Sequence, residues 1–385
     1  MSKIDDLIQE FCPDGVEYKP IKKLAEVGTG SSNGNEAQED GKYPFFIRSQ
    51  TVKRKNEWEY DEEAIIIPGE GGIGEIYHYV NGKYAIHQRV YRIHFTDNSV
   101  DVKFAYHYFR AFFKNFIMRK AVSATVKSIR KPMIEEFMLP VPPLEVQREI
   151  VHILDSFTLL TAELTAELTA RKKQYNFYRD KLLTFESDIP LLPIKEVVKK
   201  SCAGATPAKG NPEYYEDGTI PWIRTQDVRF NEITEVDSFI TEKAVEETAA
   251  KWIPENCVIV AISGATAGRC AINKIKATTN QHCLNMQIDN EKALYKYVYY
   301  CICSKQDELI SKKQGARGDL NSSLILGTKI PVPKLEIQKK IVHVLDNFES
   351  ICSDLNIGLP AEIEARQKQY EYYRDKLLSF KELPK

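Results

Sequence analysis

No window of this 385-residue chain approaches the run of about 18 apolar residues that a membrane-spanning helix needs, so no membrane partner is expected. Its first stretch, MSKIDDLIQEFCPDGVEYKP, is acidic and lacks the apolar core of a secretory signal, which points to the cytoplasm. Neither sign of charge is in excess: 53 Lys and Arg against 54 Asp and Glu leave a net charge of −1 and a pI near 6.7. A chain-wide field that would draw in nucleic acid is missing, so such a partner would have to be met by local patches. The eight cysteines lack zinc-site spacing, since Cys301 and Cys303 stand one residue apart with no second pair or clustered histidine. They read as buried thiols in a reducing compartment, and no metal site is expected. A Walker A G-x4-G-K-[ST] is also missing, which leaves ATP without its usual cradle.

One glycine motif is present. AIIIPGEGGIGEIYHYVNGKYAIHQRVYRI, residues 64–93, contains G-x-G-x-x-G at Gly69, Gly71 and Gly74. A dinucleotide loop would need a helix after the glycines to hold the pyrophosphate. Here β-rich residues follow, and Asn81-Gly82 between two such runs predicts a tight hairpin. A kinase-type loop does lie between strands, but His87 occupies the place of its lysine and no H-R-D or D-F-G follows. The glycines are therefore expected to join strands rather than to hold a nucleotide.

The chain is largely written twice. LPVPPLEVQREIVHILDSF (139–157) returns as IPVPKLEIQKKIVHVLDNF (330–348), with 12 of 19 positions identical. RKKQYNFYRDKLLTF (171–185) returns as RQKQYEYYRDKLLSF (366–380), with 11 of 15 identical. Each copy reads as a long helix. Proline precedes it, apolar residues recur at three-to-four spacing (Ile150, Leu154, Phe157, then Tyr175, Tyr178, Leu182), and a coiled-coil seam results. TAELTAELTA bridges the first copy as strong helix; in the second, Gly358 and Pro360 predict a kink or break.

The intervening segments, short β-rich runs plus aromatic helices near 101–120 and 290–312, are α+β or α/β in pattern and more loosely repeated. YPFFIRSQ (43–50) resembles IPWIRTQDV (220–228), Gly74 falls opposite Gly268, and His87-Gln88 opposite Asn280-Gln281. The expected organisation is a first head over 1–140, a helix over 141–187, a second head over 188–331 and a second helix over 332–385. Two similar helices packed antiparallel would give a pseudo-two-fold body with two reading heads.

The loop chemistry favours DNA. Arg48-Ser49-Gln50, Arg224-Thr225-Gln226, His87-Gln88-Arg89 and Asn280-Gln281 supply the side chains that match purine edges in the major groove. Gly71, Gly72, Thr266 and Arg269 occupy the glycine loops, where a missing Cβ lets backbone approach a base or phosphate. AFFKNFIMRKAVSATVKSIRKPM (111–133), including Lys127 and Arg130, carries no acidic residue, and Arg317 lies in the weaker counterpart KKQGAR. Such stretches would make the phosphate contacts that fix register. The alternative is a two-headed protein adaptor on a coiled-coil spacer.

At these residues the chain resembles the specificity subunits of type I restriction–modification systems. The likeness covers essentially its whole length and rests on both P-x-P-x-L-E-x-Q helices, both K-Q-Y-x-x-Y-R-D-K-L-L-x-F ends and the Thr-Ala-Glu-Leu tandem at 161–168, a mark of one branch. The resemblance implies a non-catalytic subunit whose two target-recognition domains each read half of a bipartite, asymmetric site in duplex DNA. It implies that two methyltransferase subunits and two restriction subunits dock on the helices and carry S-adenosylmethionine, ATP and Mg. Gln147, Tyr175, Tyr178, Arg179, Gln338, Tyr370, Tyr373 and Arg374 are the candidate docking residues. The closest string to an adenine-methyltransferase N/D-P-P-Y/F is Asn211-Pro212-Glu213-Tyr214, which reads as a turn.

Overall fold

The computed structural model describes residues 3–120, 128–186, 189–312, 319–353 and 358–384. They form two compact units, one made of residues up to Thr165 together with those from Glu362 onward, the other of Ala166–Ala361. Each unit therefore joins one head to the start of one repeated helix and the end of the other.

In the first unit, six strands are ordered Ala25–Thr29, Val90–Phe95, Tyr60–Pro68, His78–Ile86, Tyr43–Phe46, Lys53–Lys55. All neighbours are antiparallel except Tyr43–Phe46 with His78–Ile86, which run parallel. The apolar run of the central strand serves both faces, as alternation along a strand requires. Ile65 and Ile67 join the core with Phe104, Phe109, Phe113 and Ile117 of the helix Val102–Lys120; Ala64 and Ile66 join Phe46, Val80, Tyr84 and Ile86. Such two-sided burial explains why this strand is a continuous hydrophobic run.

One expectation is overturned here. Asn81-Gly82 is no turn; it lies inside the strand His78–Ile86, whose register runs unbroken from Tyr60↔Tyr84 to Ile66↔His78. Seven paired residues outweigh a two-residue turn preference, and Gly82 absorbs its φ of 109° within the strand. The chain reverses instead at Gly69–Tyr77, so the glycines do join strands.

The second unit repeats the plan with interruptions. Five strands are ordered Val198–Ala203, Cys283–Ile288, Val258–Ala261, Cys270–Asn273, Glu232–Ile233, and a three-stranded sheet holds Phe239–Ile240, Ile220–Ile223 and Thr278–Thr279. The strand that is continuous at His78–Ile86 is here divided into Cys270–Asn273 and Thr278–Thr279. The parallel pair is kept: Trp222 and Ile223 lie beside Thr278 and Thr279 as Phe45 and Phe46 lie beside Ala85 and Ile86.

The first repeated helix is continuous over Leu144–Leu182, through the Thr-Ala-Glu-Leu tandem. Thr158, Thr161 and Thr165 fold their hydroxyls back onto the carbonyls of Leu154, Phe157 and Thr161, four residues earlier, so these β-branched residues leave no polar group idle. The second copy forms two helices, Leu335–Ser353 and Leu359–Leu377, with Gly358 just before the restart and Pro360 in its first turn, where a missing N–H costs nothing. In the first unit Phe157 stacks on Tyr373 at 5.5 Å; in the second Tyr178 stacks on Phe348 at 5.7 Å. These are the same two motif positions exchanged between copies.

The helices are fastened to their heads by matching polar ties. Gln147 Oε1 accepts from Asp101 N at 2.8 Å, and its Nε2 donates to the carbonyls of Ser99 and Pro142 at 2.7 and 2.6 Å. Gln338 does the same with Leu294 N, Lys292 O and Pro333 O at 2.9, 3.2 and 2.8 Å. Both side chains are fully buried. Asp155 binds Lys103 and His107 at 2.8 and 2.9 Å, and Asp346 binds Lys296 at 3.0 Å and Tyr300. Gln147 and Gln338 are thus internal ties rather than docking residues, a correction to the sequence reading. The phase of Gln147, on one stripe with Ile150 and Leu154, carried the signal, because a polar group on a buried stripe must be hydrogen-bonded. Gln147→Leu leaves three buried backbone groups unpaired and is expected to destabilise the first unit by about 3 kcal/mol. A lowered denaturation midpoint checks this; an unchanged one contradicts it.

Candidate nucleic-acid interface

The parallel strand pair in each unit sets the site. Two strands that end side by side in the same direction deliver their following loops to one edge. In the first unit these loops carry Arg48-Ser49-Gln50 and His87-Gln88-Arg89, and the glycine loop closes on the same edge through Gly69 N–H, which donates to Arg89 O at 2.9 Å. In the second they carry Arg224-Thr225-Gln226 and Asn280-Gln281, with Asn280 N–H donating to Ile223 O at 3.0 Å. The edge demands a close backbone passage. A Cβ on Gly30 would lie 1.9 Å from Ile86 O, and one on Gly204 1.9 Å from Thr279 O, so both copies need glycine there.

Described residues bordering the basic stretches reach the same edges. Ile129 N–H donates to Gly69 O at 2.8 Å, which brings the exposed Arg130 beside the first glycine loop. Leu320 N–H donates to Ile262 O at 2.7 Å, and Gly264 N–H to Asp319 Oδ1 at 3.2 Å, in the second. Lys127 and Arg317 lie outside the described residues. The run over 111–133 is less purely basic in space than in sequence, since Lys114 pairs with Glu75 at 2.8 Å and Lys131 with Glu135 at 3.5 Å.

The two edges differ in electrostatics. In the first, Glu70 Oε2 accepts from Arg48 Nη1 at 3.1 Å and from Arg89 Nη1 at 2.8 Å. The hydrogen bond from Arg89 and the two cations hold its carboxyl below the usual range. A cleft of about 290 Å³ opens beside this group, lined by Gly34, Ile47, Arg48, Glu70, Gly71 and His87. Gly71 and Gly72 face solvent at φ of 72° and 58°, and Gln88 Nε2 donates to Asn33 Oδ1 at 2.8 Å. Ser49 Oγ closes a local turn with Thr51, while Gln50 is exposed. Sequence reasoning missed Glu70, whose partners are 22 and 19 residues away and are set only by the strand order.

In the second, Arg224 N–H donates to Asp227 Oδ2 at 2.8 Å, and Arg224 Nε is buried without a hydrogen-bond partner. Gln281 binds Thr206 and His282, and Asn280 Oδ1 accepts from His282 N at 3.1 Å. Gln226 is exposed and Thr225 half-buried. Thr266 Oγ1 donates to Ser263 O at 3.4 Å, and Arg269 is half-buried at the far end of that loop. Asn211 Oδ1 accepts from Glu213 N at 3.2 Å and so caps a one-turn 3-10 helix, Pro212–Tyr214, where the sequence reading expected a turn.

On the repeated helices Tyr370 is buried in the first unit and Tyr175 packs into the core of the second. Tyr178 and Tyr373 remain 38 and 39% exposed beside Phe177 and Tyr372, at 62 and 64%. Arg179 and Arg374 lie over the rings of Tyr175 and Tyr370. Among the described residues no cluster of three metal-capable side chains occurs, and no helix is long and apolar enough to cross a membrane.

His87 Nδ1 accepts from Arg89 N at 3.0 Å, which places the proton of the neutral ring on Nε2. Burial and then Arg48 and Arg89 push its pKa below the ordinary value. As pH falls through the unfolded value of ~6.5, the unfolded chain takes up this proton first, so the stabilising effect of neutrality is lost on acidification. The His87 ring resonance is expected to titrate below that of a free histidine, and Arg89→Ala to move it back upward. Coincident titrations in both proteins would contradict the assignment.

Comparison with known proteins agrees with this arrangement. The model of the type I restriction modification DNA specificity domain matches residues 13–171 and again 187–365. The specificity subunit of the Escherichia coli type I restriction enzyme EcoR124I/EcoR124II is 42% identical over 248 residues, 63% of this chain and 61% of that one. The E. coli EcoprrI specificity subunit is 32% identical over 206 residues, 51% of each chain. The chain thus spans less than two thirds of these two relatives. The crystal structure of a type I restriction–modification S subunit from M. genitalium aligns over 94% of this chain and 96% of its own, with a TM-score of 0.62 at 15% identity. Two matches of one domain model, over two units of one plan, place the chain in the type I restriction–modification DNA specificity family.

Proposed function

We propose that this chain is the non-catalytic DNA-reading subunit of a type I restriction–modification complex, each unit reading one half of a bipartite, asymmetric duplex site. One observation carries the reading. The same strand pair, with the same obligatory glycine, presents loops at equivalent edges of both units; Arg48, Gln50 and Gln88 recur as Arg224, Gln226 and Gln281, while Ser49, His87 and Glu70 stand opposite Thr225, Asn280 and Gly264. A shared scaffold with unlike contacts suits unlike half-sites. Arg, Gln and Asn at those edges would read purines, and Arg130 with the neighbouring basic residues would set register on phosphates.

The exposed aromatic faces around Phe177, Tyr178, Tyr372 and Tyr373 would dock two methyltransferase and two restriction subunits. Those partners would carry S-adenosylmethionine, ATP and Mg, and the target base would be extruded into the methyltransferase pocket. The complex works in the cytoplasm. Co-expression with a methyltransferase subunit and genome-wide mapping of adenine methylation should give a motif of two unlike halves around a constant unread gap. A complex that forms but shows no salt-dependent DNA affinity would overturn the reading in favour of a protein adaptor.

The Thr-Ala-Glu-Leu tandem sets the gap in this proposal. Four helical residues add about 6 Å and slightly more than one turn. Removing or adding one unit should shift the gap by one to two base pairs, at about 3.4 Å per step. Methylation maps of one-, two- and three-unit variants with identical gaps would refute it.

A further inference from the structure

We infer that Glu70 is a specificity-positioning residue of the first unit: it gathers Arg48 and Arg89 into a forked pair aimed at one base, and keeps both off non-cognate DNA. The inference rests on the proposed reading of DNA by this edge and deepens it. Arg48 and Arg89 come from different loops, one after Tyr43–Phe46 and one after His78–Ile86. Two guanidinium groups so close repel each other, and long exposed side chains lose conformational freedom when fixed. A carboxylate between them removes the repulsion. Both bonds end on Oε2, through one Nη1 of each arginine. Each guanidinium carries five N–H donors and has used one on Glu70, so its other edge can meet the O6 and N7 of a guanine. The side chains remain 46% and 57% exposed, at the rim of the cleft between Gly34, Gly71 and His87.

The second consequence concerns wrong sites. An arginine without a partner binds any phosphate, and that binding carries no sequence information. Glu70 competes with phosphate for both cations, so only a base edge that repays the geometry displaces the contact. In the second unit, counting back from Gly268 as the partner of Gly74, the equivalent loop position is Gly264; the carboxylate beside it, Asp319, accepts from the Gly264 N–H at 3.2 Å, and among the described residues no ion pair joins Arg224 or Arg269 to a carboxylate. The device therefore belongs to one half-site, and the other half-site serves as an internal control.

The test uses the full chain with its methyltransferase subunit, comparing wild type with Glu70→Gln, Glu70→Asp and Arg48→Ala by methylation mapping. Glu70→Gln should relax one position in one half-site, raising methylation of mismatched sites roughly tenfold, within the discrimination that a bidentate contact gives. Arg48→Ala should relax the same half, and Glu70→Asp, which keeps the charge, should fall between wild type and Glu70→Gln. Glu70→Gln should also raise affinity for an unrelated duplex at low salt, a change opposite to that of a damaged fold. Both halves unchanged, or both equally relaxed, would overturn the inference while leaving the two-headed reading intact. A wild-type map without a bipartite motif would overturn both.

Discussion

A buried glutamine amide holds each head to its helix, and the rest of the architecture depends on that joint. Gln147 and Gln338 each satisfy one backbone N–H and two backbone carbonyls where a proline-led helix meets the head. No apolar side chain can do this, because the backbone groups would remain desolvated and unpaired. Asp155 and Asp346 repeat the logic two turns further on, each holding the aromatic helix of its own head. This part of the sequence repeat thus encodes an orientation: how a head stands on a helix.

Duplication makes the joint useful by exchange. The start of each repeated helix packs with the end of the other, Phe157 on Tyr373 and Phe348 on Tyr178, so neither copy is complete alone. In the first unit the exchange extends to the backbone, where Val16 N–H donates to Lys381 O and Leu383 N–H to Val16 O. The chain's two ends are thereby drawn into one unit, and a sequence written twice in tandem folds into two bodies on one plan. Change at the loop edges leaves these joints untouched, which separates what a head reads from how it is carried.

Much of this is legible in the sequence, and the limits have physical causes. The long helix, its break in the second copy and the equivalence of the loops follow from local periodicity and from comparing the copies. Asn81-Gly82 misled because turn preference is local whereas strand pairing with Tyr60–Pro68 is not. Gln147 was read as a contact for a partner because recurrence alone does not distinguish a surface from a joint; its place on the apolar stripe does. Glu70 was invisible for a third reason. Its meaning lies in two arginines that only a parallel strand pair brings within reach, and no spacing in the chain announces that pairing.

The two edges finally differ in polarity on one scaffold. In the first unit a charged carboxylate orders two guanidinium groups over a cleft. In the second, Gln281 is bound to Thr206, and Arg224 has its Nε buried without a partner. A buried unpaired N–H is costly unless something fills its valence, and a base edge or an ordered water is the kind of group that can. Charge organised before binding favours a strong acceptor such as guanine; an amide, which both donates and accepts, suits adenine. On the proposed reading, an asymmetry of the site would be written in the polarity of the loop side chains, while the repeated helix motifs carry both heads by the same joints.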